Sequence, residues 1–250
     1  MKIRHFSVLF SFLALLLFSA SVSSAEEPYR IALYRDGGVF KKSYNNVVKV
    51  LETDPGLQFE TVNGQQIRDG ILDGFDIVLL PGGMSNDQIK SLQPEGIEQI
   101  KKFIRSGKGY VGICAGAAVA VKQDILNAKV KSSIWWRGRG VVKIEFSEEG
   151  RKIVGENFQG QYDVLYSNGP IVNVNVDPNK PQCEVLAWFR TEMAKGKSVP
   201  GIQINSPAII QSTCGEGTVV TFSPHLEHPP EFYEPLLKIL HHVGKRTREN

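Results

Sequence analysis

An α/β fold with a mostly parallel sheet is predicted by the first half of the chain, where short apolar runs alternate with segments of helical periodicity. The elements are, in order, strand 30–34, helix 41–52, strand 57–62, strand 77–80, helix 94–105, strand 109–113 and helix 115–121. Because strands that alternate with helices form βαβ units, this order predicts a flavodoxin-like sheet with helices on both faces.

The second half predicts an antiparallel extension of this sheet, since its short apolar runs are separated by Gly, Pro and Asn turns. The predicted strands are 141–146, 162–166, 171–176, 184–189, 208–211 and 218–222, with a hairpin turn at 215–217 and a helix over 230–243. No linker or internal repeat divides the sequence. Residues 26–250 are therefore expected to form one domain.

The first 25 residues have the pattern of a secretory signal. Lys2 and Arg4 precede an apolar segment, and the small residues at 23–25 resemble a cleavage site. An uncleaved membrane anchor is the alternative, but the apolar segment is short for a membrane span. We expect cleavage before Glu26 and a periplasmic or secreted protein that does not remain in the membrane after cleavage.

The charge balance argues against nucleic acid as a partner. The whole chain has 29 Lys and Arg against 26 Asp and Glu, a net charge of +3, and two of the basic residues lie in the signal segment. The basic cluster of Arg137 and Arg139 after Trp135 and Trp136 is interpreted as a solvated face with the tryptophans on a lid or partly buried loop near the site. No metal-ligand spacing is present, and we expect no metal and no cofactor.

Three cysteines, Cys114, Cys183 and Cys214, are an odd number for an oxidising compartment. At least one of them is therefore unpaired or pairs between chains. A bond between Cys183 and Cys214 would leave Cys114 free, which is the arrangement that catalysis requires, although the sequence does not establish this pairing. The sequence also leaves the oligomeric state open.

The segment Gly112-Ile113-Cys114-Ala115-Gly116 predicts a nucleophile elbow, because it joins an apolar strand to a helix of small residues. Glycines on both sides allow a tight turn. The turn places Cys114 at a helix N-terminus, where free N–H groups and the helix dipole favour a thiolate. A lone cysteine in such a segment is more often a small buried apolar residue, so other residues must support a chemical role.

That support comes from His225 and Glu227, which follow the predicted strand 218–222. A histidine base with a nearby carboxylate is what a cysteine nucleophile needs, so Cys114, His225 and Glu227 form a candidate triad. The loops after three strands, at 36–38, 81–83 and 114, are expected to converge at one crevice. Backbone groups of Gly82, Gly83 and Ala115 are the candidate oxyanion and substrate-binding donors.

These motifs resemble the class I glutamine amidotransferase-like superfamily, and most closely the family named for the N-terminal domain of biotin-protein ligase. The resemblance is carried by segments 77–83, 112–117, 166–170, 206–210 and 225–227. Together with the signal segment, it implies an exported amidotransferase-like cysteine hydrolase or amidase that acts on a small-molecule or peptide-like substrate.

Two departures from the pattern keep other functions open. Glutamine amidotransferases have a glutamine four residues after the nucleophile, where this chain has Ala118, and no ligase module follows the domain here. A non-catalytic module that binds a small ligand or a partner in the same crevice is the alternative. A ThiJ/PfpI-like relative would use an acidic residue after the first strand, for which only Asp36 is available. Relatives such as dipeptidase E and cyanophycinase, which have a serine in a similar elbow, illustrate peptide hydrolysis on this architecture.

Overall fold

The computed structural model describes residues 27–131, 137–195, 199–228 and 232–249. The strands are β1 (Tyr29–Tyr34), β2 (Leu57–Val62), β3 (Ile77–Leu80), β4 (Gly109–Ile113), β5 (Ala128–Val130), β6 (Arg139–Phe146), β7 (Gln161–Ser167), β8 (Val172–Val174), β9 (Glu184–Phe189), β10 (Pro207–Cys214) and β11 (Gly217–Phe222). The α-helices are α1 (Lys41–Leu51), α2 (Gly64–Arg68), α3 (Ser85–Arg105), α4 (Ala115–Lys122), α5 (Glu148–Val154) and α6 (Tyr233–Glu249).

Nine strands form one mixed sheet in the order β2-β1-β3-β4-β11-β10-β9-β6-β7. The first five strands of this order pair in parallel, and the remaining four continue the sheet in antiparallel register. The predicted fold class is therefore confirmed. One strand differs: the run predicted at 171–176 contributes only β8, which pairs with β5 in a separate two-stranded sheet.

Alternate residues of the parallel strands face two different apolar cores. In β1, Ile31 and Leu33 pack on the face covered by α1 and α6, whereas Ala32 and Tyr34 pack on the face covered by α3 and α4. All four side chains are fully buried. Burial on both sides explains why the sequence shows continuous apolar runs rather than strict alternation.

Three α-helical segments of the described chain have no counterpart in the sequence prediction: α2, the part of α3 before Gln93, and α5. The helix start that Pro94 predicts is present, because Gln93 leaves helical geometry with φ 61° and ψ 169° and so divides α3 into two helices. Helix α5 has no counterpart in the prediction, although Ser147 caps it by accepting a hydrogen bond from the Gly150 amide at 3.0 Å. The predicted start of the last helix, at 230, lies outside the described residues.

All three cysteines are free. A bond between Cys183 and Cys214 is absent because the β9–β10 register pairs Gln211 with Glu184 and so carries Cys214 past Cys183. The Cys183 thiol instead donates to the carbonyl of Asn127 at 3.4 Å. Among the described residues, no helix combines the length and apolar character needed to cross a bilayer.

Candidate active site

Cys114 lies in a sharp turn between β4 and α4. Its backbone has φ 52° and ψ −95°, a conformation rare for a residue with a side chain, and its amide donates to the Phe222 carbonyl at 2.7 Å. A Cβ on Gly112 would come within 2.8 Å of the Ala117 amide, and a Cβ on Gly116 would collide with the Leu80 carbonyl oxygen. Both glycines of the motif are therefore required by packing at the elbow.

His225 is brought to this turn by the segment after β11, the neighbour of β4. Its amide donates to the Leu165 carbonyl at 2.8 Å, which ties the segment to β7. The ring packs so closely on Gly82 that a Cβ there would lie 2.8 Å from Cε1. Nδ1 is 2.7 Å from Glu227 Oε1, and both residues are buried.

Ser43 links His225 and Glu227 to the loop that contains Gly82. No pattern in the sequence marks Ser43 as a site residue. Its hydroxyl donates to Glu227 Oε1 at 2.9 Å and accepts from the Gly82 amide at 2.9 Å. A hydrogen-bonded chain therefore runs from Gly82 through Ser43 and Glu227 to His225. Such outer contacts fix the orientation of the groups that carry out chemistry.

The thiol of Cys114 and the ring of His225 interact electrostatically. Burial alone would lower the pKa of His225, but the negative charges of Glu227 and Cys114 outweigh burial and hold that pKa well above its usual value. A hydrogen bond between His225 and Cys114 acts in the same direction, and because Nδ1 is bonded to Glu227 it involves Nε2. An imidazolium is thus favoured beside the sulfur.

These residues line a pocket of about 100 Å³. Its lining contains Cys114, His225 and Glu227 of the candidate triad, together with Gly82 and Gly83. The structure therefore places these five predicted site residues at one pocket, as expected for loops at the carboxyl ends of neighbouring parallel strands.

The candidate oxyanion donors differ in availability. The Gly82 amide already donates to Ser43, so Gly82 contributes to the pocket wall rather than a free N–H. The amides of Gly83 and Ala115 have no acceptor among the described residues, and Ala115 is the first residue of α4. Ala115 does not line the pocket itself.

Two sequence interpretations are corrected here. Asp36 does not line the pocket, because its carboxylate accepts from the Gly37 and Gly64 amides at 2.8 and 2.9 Å and so supports its own loop. Arg137 is buried rather than solvated, and its guanidinium donates to the Tyr166 hydroxyl at 2.8 Å and to the Gly169 carbonyl at 2.6 Å.

Arg139, the other arginine of that cluster, is exposed and lines the pocket. The two tryptophans expected on a lid, Trp135 and Trp136, lie outside the described residues. Ala118, on α4, stands where glutamine amidotransferases have a glutamine. It does not line the pocket, and no glutamine is present among the described lining residues.

Comparison with known proteins places the chain among related folds. A family model described as the DJ-1/PfpI family matches residues 48–174, a stretch that includes Cys114 and ends before His225. A pyridoxal 5'-phosphate synthase subunit PdxT from Archaeoglobus fulgidus is 27% identical over 173 residues, which cover 61% of this chain and 81% of that protein.

Solved structures agree at the level of the fold. A putative GMP synthase subunit protein from Thermoplasma acidophilum has a TM-score of 0.60 at 14% identity, covering 90% of this chain and 98% of that one. A glutamine amidotransferase from Thermotoga maritima has a TM-score of 0.54 at 14% identity, covering 89% and 86%. These neighbours support a class I glutamine amidotransferase-like fold.

Proposed function

The chain belongs to the DJ-1/PfpI family, and from that premise we propose that it is a cysteine-dependent amide hydrolase with Cys114 as nucleophile. The observation that carries this proposal is the buried hydrogen-bonded chain from Gly82 through Ser43 and Glu227 to His225, which lines the same pocket as Cys114 and interacts with its sulfur. A structural cysteine has no need of an oriented imidazole with a raised pKa.

In the proposed reaction the Cys114 thiolate attacks the carbonyl carbon of the amide, and the carbonyl electrons move onto oxygen. The amides of Gly83 and Ala115 donate to this oxyanion. When the C–N bond breaks, the His225 imidazolium gives its proton to the departing nitrogen, which leaves a thioester. Neutral His225 then takes a proton from water, the hydroxide adds to the thioester, and the acid departs from the regenerated thiolate.

Glu227 has an orienting role in this scheme. Its carboxylate accepts from Nδ1, so the proton that moves is always on Nε2, the nitrogen left to interact with Cys114. Ser43 is a positioning residue, since it touches Glu227 and not the reacting atoms.

The substrate is proposed to be a small-molecule or peptide-like amide other than glutamine, since Ala118 leaves no glutamine side chain at the pocket. The finer likeness to the N-terminal domain of biotin-protein ligase rests on the motif segments and stays a proposal. Export is likewise proposed from the first 25 residues. An intact Met1 in the protein recovered from the cell envelope would contradict it, whereas a mature N-terminus at Glu26 is expected.

An activated ester tests the nucleophile without knowledge of the amide. With p-nitrophenyl acetate we expect a burst of p-nitrophenol, an acetyl group on Cys114 detected by peptide mass spectrometry, and slow turnover afterwards. Cys114→Ala should abolish the burst, and Cys214→Ser is the matched control because Cys214 lies away from the pocket. Equal p-nitrophenol release by Cys114→Ala and the unmodified protein would contradict the proposal.

The alternative of a non-catalytic binding module is favoured by Ala118, which removes one substrate contact of the glutamine-using enzymes. The same assay separates the two functions. A binding module would give neither an acetylated Cys114 nor turnover, although the pocket would still hold a ligand.

A further inference from the structure

The opening of the active-site pocket is cationic. Lys42 at the start of α1 and Arg139 at the start of β6 both line the pocket and are exposed, so they stand at its opening. His228 lines it as well. Among the described residues of the lining, Glu227 is the one carboxylate, and it is buried and bonded to His225 and Ser43.

The charges at the opening have no acidic partner in the part of the chain that the structure describes. No described carboxylate lies within ion-pair distance of Lys42 or Arg139, whereas Lys143, further along β6, pairs with Asp163 at 2.8 Å. An exposed cation next to a concave site attracts small anions because the low-dielectric walls focus its field.

His228 adds an unsatisfied polar atom to this opening. Its Nε2 is buried and has no hydrogen-bond partner among the described residues. Partial burial, followed by the positive charges of Lys42 and Arg139, lowers the pKa of His228, so the ring is neutral near pH 7. The three side chains line the same pocket. A nitrogen without a protein partner at this position is available to an acceptor or donor group of a ligand that enters the pocket.

We propose that Lys42, Arg139 and His228 bind an anionic group of the substrate, so that the enzyme acts on amides that carry a negative charge near the scissile bond. Phe40, which is 55% exposed at the same pocket, supplies an apolar surface for the rest of the molecule. This inference rests on the proposed function, because it places the substrate amide at Cys114.

Two alkylating reagents of nearly equal size test the proposal, since iodoacetate is an anion and iodoacetamide is neutral. In both reactions the Cys114 sulfur forms a bond to carbon while the C–I bond breaks and iodide leaves. We expect the ratio of the iodoacetate rate to the iodoacetamide rate at Cys114 to exceed that of a peptide of sequence 112–116 by roughly three- to tenfold at low salt.

Lys42→Gln and Arg139→Gln should each lower this ratio toward the peptide value. Lys49→Gln is the matched control: it removes the same charge from α1 two helical turns away, about 10 Å, and should leave the ratio unchanged. A ratio equal to that of the peptide overturns the inference, even if iodoacetamide labels Cys114 rapidly. Slow labelling by the neutral reagent would instead count against the nucleophile itself.

A second measurement does not depend on the reactivity of Cys114. We expect the NMR signals of the His228 ring to shift on titration with glutarate and not with the neutral glutaramide, and Lys42→Gln to weaken the glutarate effect. Inorganic phosphate is titrated in parallel. If phosphate shifts these signals and glutarate does not, the site binds anions but prefers phosphate to a carboxylate. No shift with either anion overturns the inference.

Discussion

Replacing Glu227 with Gln removes the negative charge next to His225 and keeps the size of the side chain. Glu227 Oε1 lies 2.7 Å from Nδ1 of His225 and 2.9 Å from the Ser43 hydroxyl, and the carboxylate is almost fully buried. Burial disfavours the protonated ring, so the charges of Glu227 and Cys114 are what keep the pKa of His225 raised. Without Glu227, only Cys114 opposes burial, and this pKa falls.

The size of the effect follows from the lost interaction. A hydrogen bond to a buried charged group contributes about 1.5–3 kcal/mol, which corresponds to a loss of imidazolium relative to imidazole of roughly ten- to a hundredfold. Because the pKa of His225 is higher in the folded than in the unfolded protein, protonation of this ring also stabilises the fold. This contribution is complete below the unfolded pKa of about 6.5 and is lost as the pH rises through the folded pKa. In Glu227→Gln the free energy of unfolding should therefore depend less on pH over that range.

NMR titration of the His225 ring measures the protonation directly, and urea unfolding at a series of pH values measures its linkage to stability. Glu234→Gln is the control, because Glu234 is a carboxylate on α6 that pairs with the neighbouring Lys238. If His225 titrates identically in Glu227→Gln and the unmodified protein, the carboxylate does not hold the charge on the imidazole, and the reasoning is refuted.

Two further substitutions test the supports of the site. Ser43→Ala leaves the buried Gly82 amide without its acceptor, so the free energy of unfolding in urea should fall by about 1–3 kcal/mol. Alkylation of Cys114 should slow as well. If neither quantity changes, the role of Ser43 is contradicted. Gly82→Ala places a Cβ 2.8 Å from Cε1 of His225, so Cys114 alkylation should slow while circular dichroism stays native. Gly96→Ala, whose Cβ meets nothing closer than 3.5 Å, is the matched control, and equal rates in both variants would rule out this contact.

The parallel half of the fold is predictable because its local signals are strong. The limits of β3 and β4 follow from short apolar runs that are buried on both faces. The helix start at Pro94 is also predictable, because proline is favoured in the first turn of a helix and Gln93 before it is not helical. The helical segment from Ser85 to this break has no such signal and is missing from the prediction. The sequence prediction places β8 in the wrong sheet because its pairing depends on a distant partner, β5, and not on its own sequence.

The residues of the candidate site divide in the same way. Cys114, His225 and Glu227 are reactive types at the ends of predicted strands, and this is enough to bring them together. Ser43 is an ordinary small residue on an amphipathic helix, and its contact with Glu227 spans 184 positions, so no local pattern reveals it. The solvated-face interpretation fails for Arg137 because its partners include an uncharged hydroxyl and backbone carbonyls, which no charge pattern indicates.

The rate at which iodoacetamide alkylates Cys114 near neutral pH, compared between the unmodified protein and His225→Ala, tests the central claim most directly. Peptide mapping distinguishes Cys114 from Cys183 and Cys214. We predict that Cys114 reacts faster than the thiol of an unfolded peptide and that His225→Ala slows it, because the positive ring that favours the thiolate is lost. A rate no greater than that of the peptide thiol, unchanged by His225→Ala, would show that Cys114 is structural and that the pocket is a binding site.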